Sequence, residues 1–386
     1  MRGIYLWLCC AIVLCLSVNF AVAATVIING KTVAVPVMEA KGKAYGDFIA
    51  LIALLGGKAV YNPATHTITI TINGTSIGSL GTPELAGDEG TLGKIYTLRK
   101  ASPLYFSLVS AEYTVRQVLI GERLIAPKED EKLLLIHFTV QNCQKSDLMV
   151  RFDSLRFLAV DAMNVNHQAE QVWGDEMNHG NLGMHLKPAQ KAAGYAVITL
   201  PAKGSAPKLM VQSNLDNDGL VLRFDLREKA VKLPAPFADP ADATGATALL
   251  KVPGALHAAY PYQDFTVSVE KFDFVTEPLG SNGQMKPNAK TGERFFLATL
   301  VVKNVGLHNA MLRFDTLKAT LTSADGETFR AKGLVFASTP RDVGQNVEPG
   351  QELQVRIPFL VPKDMTPATL LLSQGSSRGY EYTIAP

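Results

Sequence analysis

The stretch VQNCQKSDLMVRFDSL at residues 140–155 recurs in altered form as VKNVGLHNAMLRFDTL at residues 302–317. At this constant offset of 162 residues, seven of the sixteen positions are identical. Further along, at an offset of 161, Pro188, Gln190 and Pro201 correspond to Pro349, Gln351 and Pro362. Repetition over this length indicates an internal duplication, so we expect both copies to share one fold.

Each copy consists of short apolar runs separated by Gly, Pro and Asn residues. The predicted strands are 132–140, 155–160, 192–200 and 209–212 in the first copy, and 295–302, 317–322, 352–361 and 369–372 in the second. No run keeps a helical period over four turns. Regularly spaced strands with turn residues between them favour a β-sandwich of two antiparallel sheets.

The second copy contains Val302-Lys-Asn304, Ala324-Asp-Gly-Glu327 and Glu348-Pro-Gly-Gln351, which leads into Ile357-Pro-Phe-Leu-Val-Pro362. In these motifs it resembles the telokin-like, immunoglobulin-like extracytoplasmic domains of unknown function (DUF4352-like) of bacterial secreted proteins. The resemblance implies an immunoglobulin-like β-sandwich.

Residues 25–72 contain apolar residues with both the period of a strand and the period of a helix. Strands are predicted at both sides of Asn29-Gly30, a strong hairpin signal, and again at 58–61 and 67–72. Between them, Phe48, Ile49, Ile52 and Leu55 are spaced as on one face of a helix, and Gly56-Gly57 follows, so a helix is predicted over 45–55.

Five motifs in this region are typical of one module: Ile28-Asn29-Gly30-Lys31, Gly42-Lys43-Ala44-Tyr45, Leu55-Gly56, Val60-Tyr61-Asn62 and Thr67-Ile-Thr-Ile70. They resemble the stalk-type N-terminal domain of copper amine oxidases. This module lies outside the catalytic part of those enzymes, so the resemblance implies no oxidase activity. The chain departs from the family at Gly46-Asp47-Phe48-Ile49, where Val-Pro-Leu-Arg is usual.

The first residues have the three parts of a secretory signal peptide: Arg2, an apolar run over 4–18, and Ala21-Val22-Ala23. Cleavage after Ala23 or Ala24 is predicted, and it would leave Cys143 as the only thiol. The mature chain would then have no internal disulfide and no transmembrane segment, because no second long apolar run follows. We therefore expect an extracytoplasmic protein, secreted or attached to the cell surface or envelope.

The predicted fold class is mainly β, with a small α/β (ββαββ) N-terminal domain followed by two immunoglobulin-like β-sandwiches. The predicted boundaries are 1–23 for the signal peptide, 24–82 for the small domain, 83–98 for a linker, 99–229 for the first sandwich, 230–260 for a Pro/Ala-rich linker and 261–386 for the second sandwich. The five prolines of residues 232–261 predict a stiff linker that isolates the two copies.

Composition excludes some function classes. The chain has 37 Lys and Arg against 35 Asp and Glu, a net charge of +2, so no long-range field attracts nucleic acid. The sequence also lacks the nucleophile elbow, zinc-protease, dinucleotide and phosphate-loop motifs. We therefore predict no enzyme activity, no catalytic, cofactor-binding or metal-binding residues, and no cofactor.

Tyr380-Glu381-Tyr382 is similar to the motif that supplies the quinone cofactor of amine oxidases, but Gly379 stands where Asn is needed and no His-x-His pair accompanies it. Alternation instead predicts that Tyr380 and Tyr382 share one face of a final strand.

The strongest candidate ligand cluster lies between His167 and His185. Six side chains there carry imidazole or carboxylate groups: His167, Glu170, Asp175, Glu176, His179 and His185. Such groups suit zinc or a similar divalent ion, but their spacing matches no recognised motif, and residues 328–346 of the second copy contain no His. A solvated polar loop beside Trp173 is the competing interpretation.

The triplet Arg151-Phe152-Asp153 recurs as Arg313-Phe314-Asp315. Either it is a binding pair of charges, or Phe is a core residue with a flanking ion pair. Because duplicated copies keep a fold more readily than a site, we predict the second, with Phe152 and Phe314 pointing inward. Cys143 corresponds to Val305, which favours a packing role for its thiol.

Two functions follow as hypotheses. The first is a secreted or envelope-associated, non-enzymatic protein that acts as a binding, adhesion or spacer module on a protein or cell-wall polymer. The alternative is a metal-dependent protein or enzyme accessory subunit with its site in the His167–His185 loop.

Overall fold

The computed structural model describes residues 88–99, 102–214, 220–276, 289–339, 341–373 and 378–384, together with the backbone of six strands within residues 22–76. The chain divides into two units, Met1–Leu80 and Gly81–Pro386. Among the described residues, no helix is long and apolar enough to cross a membrane.

The first unit contains two small antiparallel sheets. Its strands are β1 (Val22–Ile28), β2 (Lys31–Ala40), β3 (Lys43–Gly46), β4 (Gly57–Asn62), β5 (Thr67–Ile72) and β6 (Thr75–Ser76). Ile28 is paired with Lys31, which confirms the hairpin, and β4 and β5 confirm the two later strands. Tyr45 and Gly46 belong to β3 rather than to the predicted helix, and residues 47–55 of that helix lie outside the described residues.

The second unit begins with the first β-sandwich. Its strands are β7 (Asp88–Gly90), β8 (Tyr96–Leu98), β9 (Leu104–Thr114), β10 (Val118–Ile120), β11 (Arg123–Ile125), β12 (Glu131–Asn142), β13 (Leu148–Val150), β14 (Leu155–Val160), β15 (Asn166–Asp175), β16 (Met184–Leu186), β17 (Lys191–Pro201), β18 (Lys208–Ser213) and β19 (Val221–Asp225). One sheet has the order β7-β19-β18-β14-β15, and the other has the order β15-β17-β12-β9-β8. The long strand β15 therefore belongs to both sheets, and its register shifts between Ala169 and Trp173.

Alternating side chains build the core between these sheets. Along β12, Ile136, Phe138 and Val140 are buried, and the residues between them are partly exposed. The ring of Phe138 lies 5.0 Å from Phe157 on the opposite sheet and 5.0 Å from Trp173. Trp173 is thus a core residue of the first sandwich.

The second sandwich repeats this layout. Its strands are β20 (Lys251–Gly254), β21 (Tyr260–Tyr262), β22 (Phe265–Val275), β23 (Glu293–Asn304), β24 (Ala310–Arg313), β25 (Lys318–Ser323), β26 (Thr328–Arg330), β27 (Val335–Phe336), β28 (Gly344–Val347), β29 (Glu352–Pro362), β30 (Pro367–Ser373) and β31 (Gly379–Thr383), with a 3-10 turn at Phe314–Thr316. Its sheets have the orders β20-β31-β30-β25-β26 and β21-β22-β23-β29-β27. These orders match the first sandwich, except that β26 and β27 take the place of the single strand β15 and the hairpin β10–β11 has no counterpart. In each copy the first and last strands pair in parallel. The predicted strands and the β-sandwich fold are confirmed.

A buried asparagine marks the same corner of each copy. The Nδ2 group of Asn142 donates hydrogen bonds of 2.8 Å to the carbonyl oxygens of Ser146 and Leu186. Asn304 donates equivalent bonds of 2.8 Å to His308 and Val347. Both side chains are fully buried. The Asn of the Val-x-Asn motif therefore satisfies backbone groups that would otherwise be unpaired inside the protein.

The proline-rich segment between the sandwiches packs against the first sandwich. The amide of Val231 donates to the carbonyl of Ala111 at 2.8 Å, and the amide of Ala248 donates to Ala202 at 2.8 Å. Leu233 and Phe237 are buried in a hydrophobic core that also includes residues of both sandwiches. The structure thus contradicts the expectation that this segment isolates the copies, because its apolar side chains between the prolines bury surface that an open linker would expose.

Polar contacts also join the sandwiches directly. The guanidinium of Arg378 is almost completely buried, and it donates to the carbonyl oxygens of Leu249, Glu129 and Glu131. Gln117 Nε2 donates to the carbonyl oxygens of Gln263 at 2.9 Å and Phe265 at 2.7 Å. Five backbone carbonyls are therefore held by two side chains across this junction.

Candidate functional site

The structure does not gather the six candidate ligands of the His167–His185 loop. His167 Nε2 lies 3.0 Å from Asp161 Oδ2, and Glu170 forms an ion pair of 3.3 Å with Arg123. His185 is exposed on β16, where it is paired with Met149. His185 is separated from His167 and Glu170 because β16 belongs to a different sheet from β15, and His167 and Glu170 have different partners.

The other three candidates lie near His137, which the sequence did not single out. His137 Nδ1 is 2.5 Å from Glu176 Oε1, and Asp175 Oδ1 accepts the amide of Met177 at 2.7 Å. His179 Nδ1 lies 3.4 Å from the hydroxyl of Tyr195. In the described part of the chain, no three His, Cys, Asp or Glu side chains form a group that could hold a metal ion. The geometry therefore does not favour the metal hypothesis.

Tyr380 and Tyr382 point into the second sandwich, as alternation predicted. The Tyr380 hydroxyl donates to the carbonyl of Pro261 at 2.9 Å, and its ring lies 4.6 Å from that of Tyr260. Burial raises the pKa of the Tyr380 phenol well above its usual range. A phenol that is buried and hydrogen-bonded in this way serves packing.

The side chain of Cys143 also has a local structural partner. Its thiol lies 3.1 Å from the carbonyl oxygen of Pro103. The thiol forms no disulfide and is partly exposed.

The prediction that Phe152 and Phe314 point inward is wrong. Phe152 is 41% exposed and Phe314 is 49% exposed. The strand alternation stops after Val150 and Leu312, which are buried, because the chain turns at this point, with a 3-10 turn over Phe314–Thr316 in the second copy. The next side chains that point into the core are Leu155 and Leu317, and both are buried.

The turn itself has the same internal bonds in both copies. In the first, Arg151 Nε lies 2.6 Å from Asp153 Oδ1, and the Arg151 amide donates to the Ser154 hydroxyl at 3.0 Å. In the second copy the corresponding distances are 2.6 Å between Arg313 and Asp315 and 3.1 Å to the hydroxyl of Thr316. These bonds hold the turn in place. The Phe ring, which lies between the Arg and the Asp in the sequence, faces solvent.

A methionine lies on the outer face of the strand before each turn. Met149 is 39% exposed and Met311 is 51% exposed. Each sandwich thus presents a Met, an Arg, a Phe and an Asp at one corner, and we call the two sets (149–153 and 311–315) the Met–Phe turns. The Met and Phe side chains are thus exposed at equivalent positions of the two copies. The sequence did not reveal this exposure because alternation with a period of two was extended past the end of the strand.

One family model and several solved structures are similar to parts of this chain. Residues 260–381 match the family model described as Domain of unknown function (DUF4352). No curated protein matches the chain. An uncharacterized β-sandwich protein from Clostridium difficile is 12% identical, with a TM-score of 0.26, covering 34% of this chain and 92% of that chain.

Two further solved structures are similar at the same level. The yjhA protein from Bacillus subtilis is 13% identical, with a TM-score of 0.25, covering 34% of this chain and 99% of that chain. A conserved hypothetical protein from Bacillus anthracis is 13% identical, with a TM-score of 0.25, covering 33% and 94%. The family match falls on the second sandwich, so it is this part of the chain that is similar to the DUF4352 domain.

Proposed function

We propose that this protein is exported, loses residues 1–23, and acts outside the cytoplasm as a non-catalytic binding module that carries two copies of one contact site. The single observation that carries this proposal is the exposure of the Met–Phe turns in both sandwiches. The signal-peptide pattern of residues 1–23 supports the location.

The chemistry of the turns favours a protein partner over a cell-wall polymer. Aromatic residues, Met and Arg are enriched at the centres of protein interfaces, and each turn has all three within five residues. Phe152 and Phe314 are about half exposed, so covering the rest of each ring gains about half of the 1.5 to 3 kcal/mol of full burial, or about 0.7 to 1.5 kcal/mol. Two equivalent sites in one unit suit a partner that is itself dimeric or repeated, because the second contact then forms at high effective concentration.

The junction described above supports a spacer role as well. Arg378 and Gln117 join the sandwiches through backbone carbonyls, so the two sites would be held at a set separation. In this proposal residues 24–82 are a stalk-type module, as the resemblance to the copper amine oxidase N-terminal domain implies, and they are followed by the first sandwich, whose sheets already include β7 and β8.

The test is binding to envelope material from the producing organism, using solubilised envelope proteins and purified cell-wall polymer in separate arms. We expect the wild-type protein to retain one envelope protein reproducibly, and the Phe152→Ala/Phe314→Ala variant to bind it at least tenfold more weakly. Tyr105→Ala is the matched control, because Tyr105 is an aromatic side chain of similar exposure that has no aromatic counterpart in the second copy.

Equal binding by the double variant would refute the contact site. Retention only on the polymer would replace the protein partner by a cell-wall partner. Binding to neither arm would refute the envelope-binding function.

A further inference from the structure

In the first sandwich, the proline-rich segment covers the outer edge of β9. The amide of Val231 donates to the carbonyl of Ala111 at 2.8 Å, and the carbonyl of Val231 accepts the amide of Tyr113 at 3.0 Å. Val231 thereby forms a parallel bridge with β9. The side chain of Tyr113 is only 5% exposed. The chain itself thus closes a strand edge that would otherwise present free amides and carbonyls.

The same segment brings a carboxylate close to a buried cation. Lys132 is fully buried, and it donates to the carbonyl of Ala202, which also accepts the amide of Ala248 at 2.8 Å. Burial lowers the pKa of Lys132, and the negative charge of Asp242 partly opposes that shift. The segment therefore supplies both a strand pairing and a counter-charge at this end of the first sandwich.

The strand β22 of the second sandwich has an edge of the same kind. The pairing of β22 with β23 has the register of the pairing of β9 with β12: Phe274 lies opposite Phe296, and Tyr113 lies opposite Leu134. Because the direction of hydrogen bonding alternates along an antiparallel pair, the amide of Phe274 points away from β23, as the amide of Tyr113 points away from β12. The carbonyl of Phe272 has the same outward direction.

Within the described residues, nothing covers this second edge. β21 pairs with β22 only at Phe265–Val267, and no described residue bonds to the amide of Phe274 or to the carbonyl of Phe272. The Phe274 side chain is 40% exposed, eight times the exposed fraction of Tyr113. The edge of β22 therefore offers both backbone groups and an aromatic ring to another chain.

A cation without a counter-charge lies beside this edge. Arg294 has the position on β23 that Lys132 has on β12, and its guanidinium lies 3.5 Å from the centre of the Phe274 ring. Its Nη2 donates to the carbonyl of Met365 at 2.8 Å. Among the described residues, its buried Nε has no hydrogen-bond partner and no carboxylate forms an ion pair with it. Because an arginine stays charged in proteins, this end of the sandwich suits a carboxylate brought by a partner.

We propose that the edge of β22 is a docking site for an extended segment of a partner protein, which adds to residues 272–274 as a parallel strand and presents a carboxylate to Arg294. Residues 230–248 show the chemistry of this occupant, because they fill the equivalent edge of the first sandwich. An apolar residue of the partner takes the place of Val231 and covers the Phe274 ring. Strand addition of this kind takes its affinity from main-chain hydrogen bonds and its specificity from side-chain contacts. The site is separate from the Met–Phe turns.

A synthetic peptide of residues 229–248, added to the full chain, is the probe. In the free protein, the amide of Phe274 should exchange about tenfold or more faster than that of Tyr113, after correction for intrinsic rates. Calorimetric titration should give a Kd of about 10 to 500 μM for the peptide, and binding should slow the exchange of the Phe274 amide. The Asp242→Asn peptide should bind about two- to fivefold more weakly, because it lacks the charge that faces Arg294.

Variants of the protein locate the site. Phe274→Ala should weaken binding about fivefold or more, and the matched control Leu307→Ala, an apolar side chain of similar exposure in the same sandwich, should not. With Arg294→Gln the two peptides should bind equally, because the ion pair is already lost.

Three results would overturn the proposal. The first is no binding of the peptide, and the second is equal binding by Phe274→Ala and the wild type. The third is slow exchange of the Phe274 amide in the free protein, since the edge would then already be covered. A preference for the wild-type peptide that persists in Arg294→Gln would refute the pairing of the carboxylate with Arg294. The Phe152→Ala/Phe314→Ala variant should bind the peptide normally, which keeps this test distinct from that of the Met–Phe turns.

Discussion

The ammonium group of Lys132 lies 5.3 Å from the centre of the Tyr113 ring, in a site with no exposure to solvent. It donates hydrogen bonds to the carbonyl oxygens of Ala202 and Gly204. The second sandwich has an equivalent pair, in which Arg294 lies 3.5 Å from the centre of the Phe274 ring and donates to Met365. The duplication therefore includes a cation held over an aromatic ring at the end of each sandwich.

This lysine predicts how stability depends on pH. Burial lowers the pKa of Lys132 to about 7, partly opposed by the negative charge of Asp242, whereas its ordinary value is 10.5. Between pH 7 and 10.5 the unfolded chain binds more protons at this lysine than the folded protein, so the free energy of unfolding rises with pH. Below pH 7 the effect of Lys132 on the free energy of unfolding no longer changes with pH. From pH 7 to 9, urea unfolding should show a rise of up to about 1.4 kcal/mol per pH unit that Lys132→Met lacks.

The exposed Lys191→Met provides the comparison for this measurement. Its stability curve should follow that of the wild type over the same pH range. Parallel curves for Lys132→Met and the wild type would show that Lys132 titrates normally.

The Met–Phe turns predict a contrast between neighbouring residues. Phe152→Ala and Phe314→Ala should each change the free energy of unfolding by less than about 1 kcal/mol, because both rings are exposed. Leu155→Ala and Leu317→Ala should each cost about 2 to 5 kcal/mol, because those side chains are buried. Urea denaturation of the four variants measures this contrast, and a large loss for either Phe would mean that its ring is packed in solution.

The buried asparagines predict matched effects in the two copies. Asn142→Ala and Asn304→Ala should each destabilise the protein by about 2 to 4 kcal/mol, because each leaves two carbonyl groups without a donor. The two losses should agree within about 1 kcal/mol, since the geometry is the same. Chemical denaturation gives both values, and Gln141→Ala, a partly exposed neighbour, should cost much less.

Arg378 predicts cooperativity between the sandwiches. Calorimetry of the wild-type protein should show one transition for the two sandwiches, because one core includes residues of both and of the segment between them. Arg378→Met should separate this transition into two, because it removes the donor to Leu249, Glu129 and Glu131. Arg330→Met, an exposed site in the same sandwich, should not. Two transitions in the wild type would restore the idea of an isolating linker.

The sequence predicted eight of the sandwich strands because their signals are local, whereas the long strands β9, β15 and β22 were not predicted. Alternation along β12 and β23 and the turn residues between strands are sufficient to place eight strands. The error at Phe152 and Phe314 came from extending that alternation across a turn, where the backbone no longer has a period of two. A local pattern is informative only within one element.

The contacts between distant elements were not predictable in this way. His137 lies 39 residues from Glu176, and Arg378 lies 249 residues from Glu129. Neither pair has any spacing rule in the sequence, because sheet order and the docking of two sandwiches bring them together. The prolines of the connecting segment suggested stiffness, but the burial of Leu233 and Phe237 depends on a neighbouring surface that periodicity does not describe.

The parallel pairing of the first and last strands has a mechanical consequence. In the second sandwich β20 and β31 run side by side in the same direction, with Lys251 opposite Gly379 and Gly254 opposite Tyr382. A pulling force applied at the two ends of this sandwich draws β20 toward its start and β31 toward its end. The strands then slide along each other, so the hydrogen bonds between them are strained together and do not unzip one by one. In the first sandwich β7 and β19 are paired in the same way. A pulling force along the chain therefore loads the terminal strand pair of each sandwich in shear.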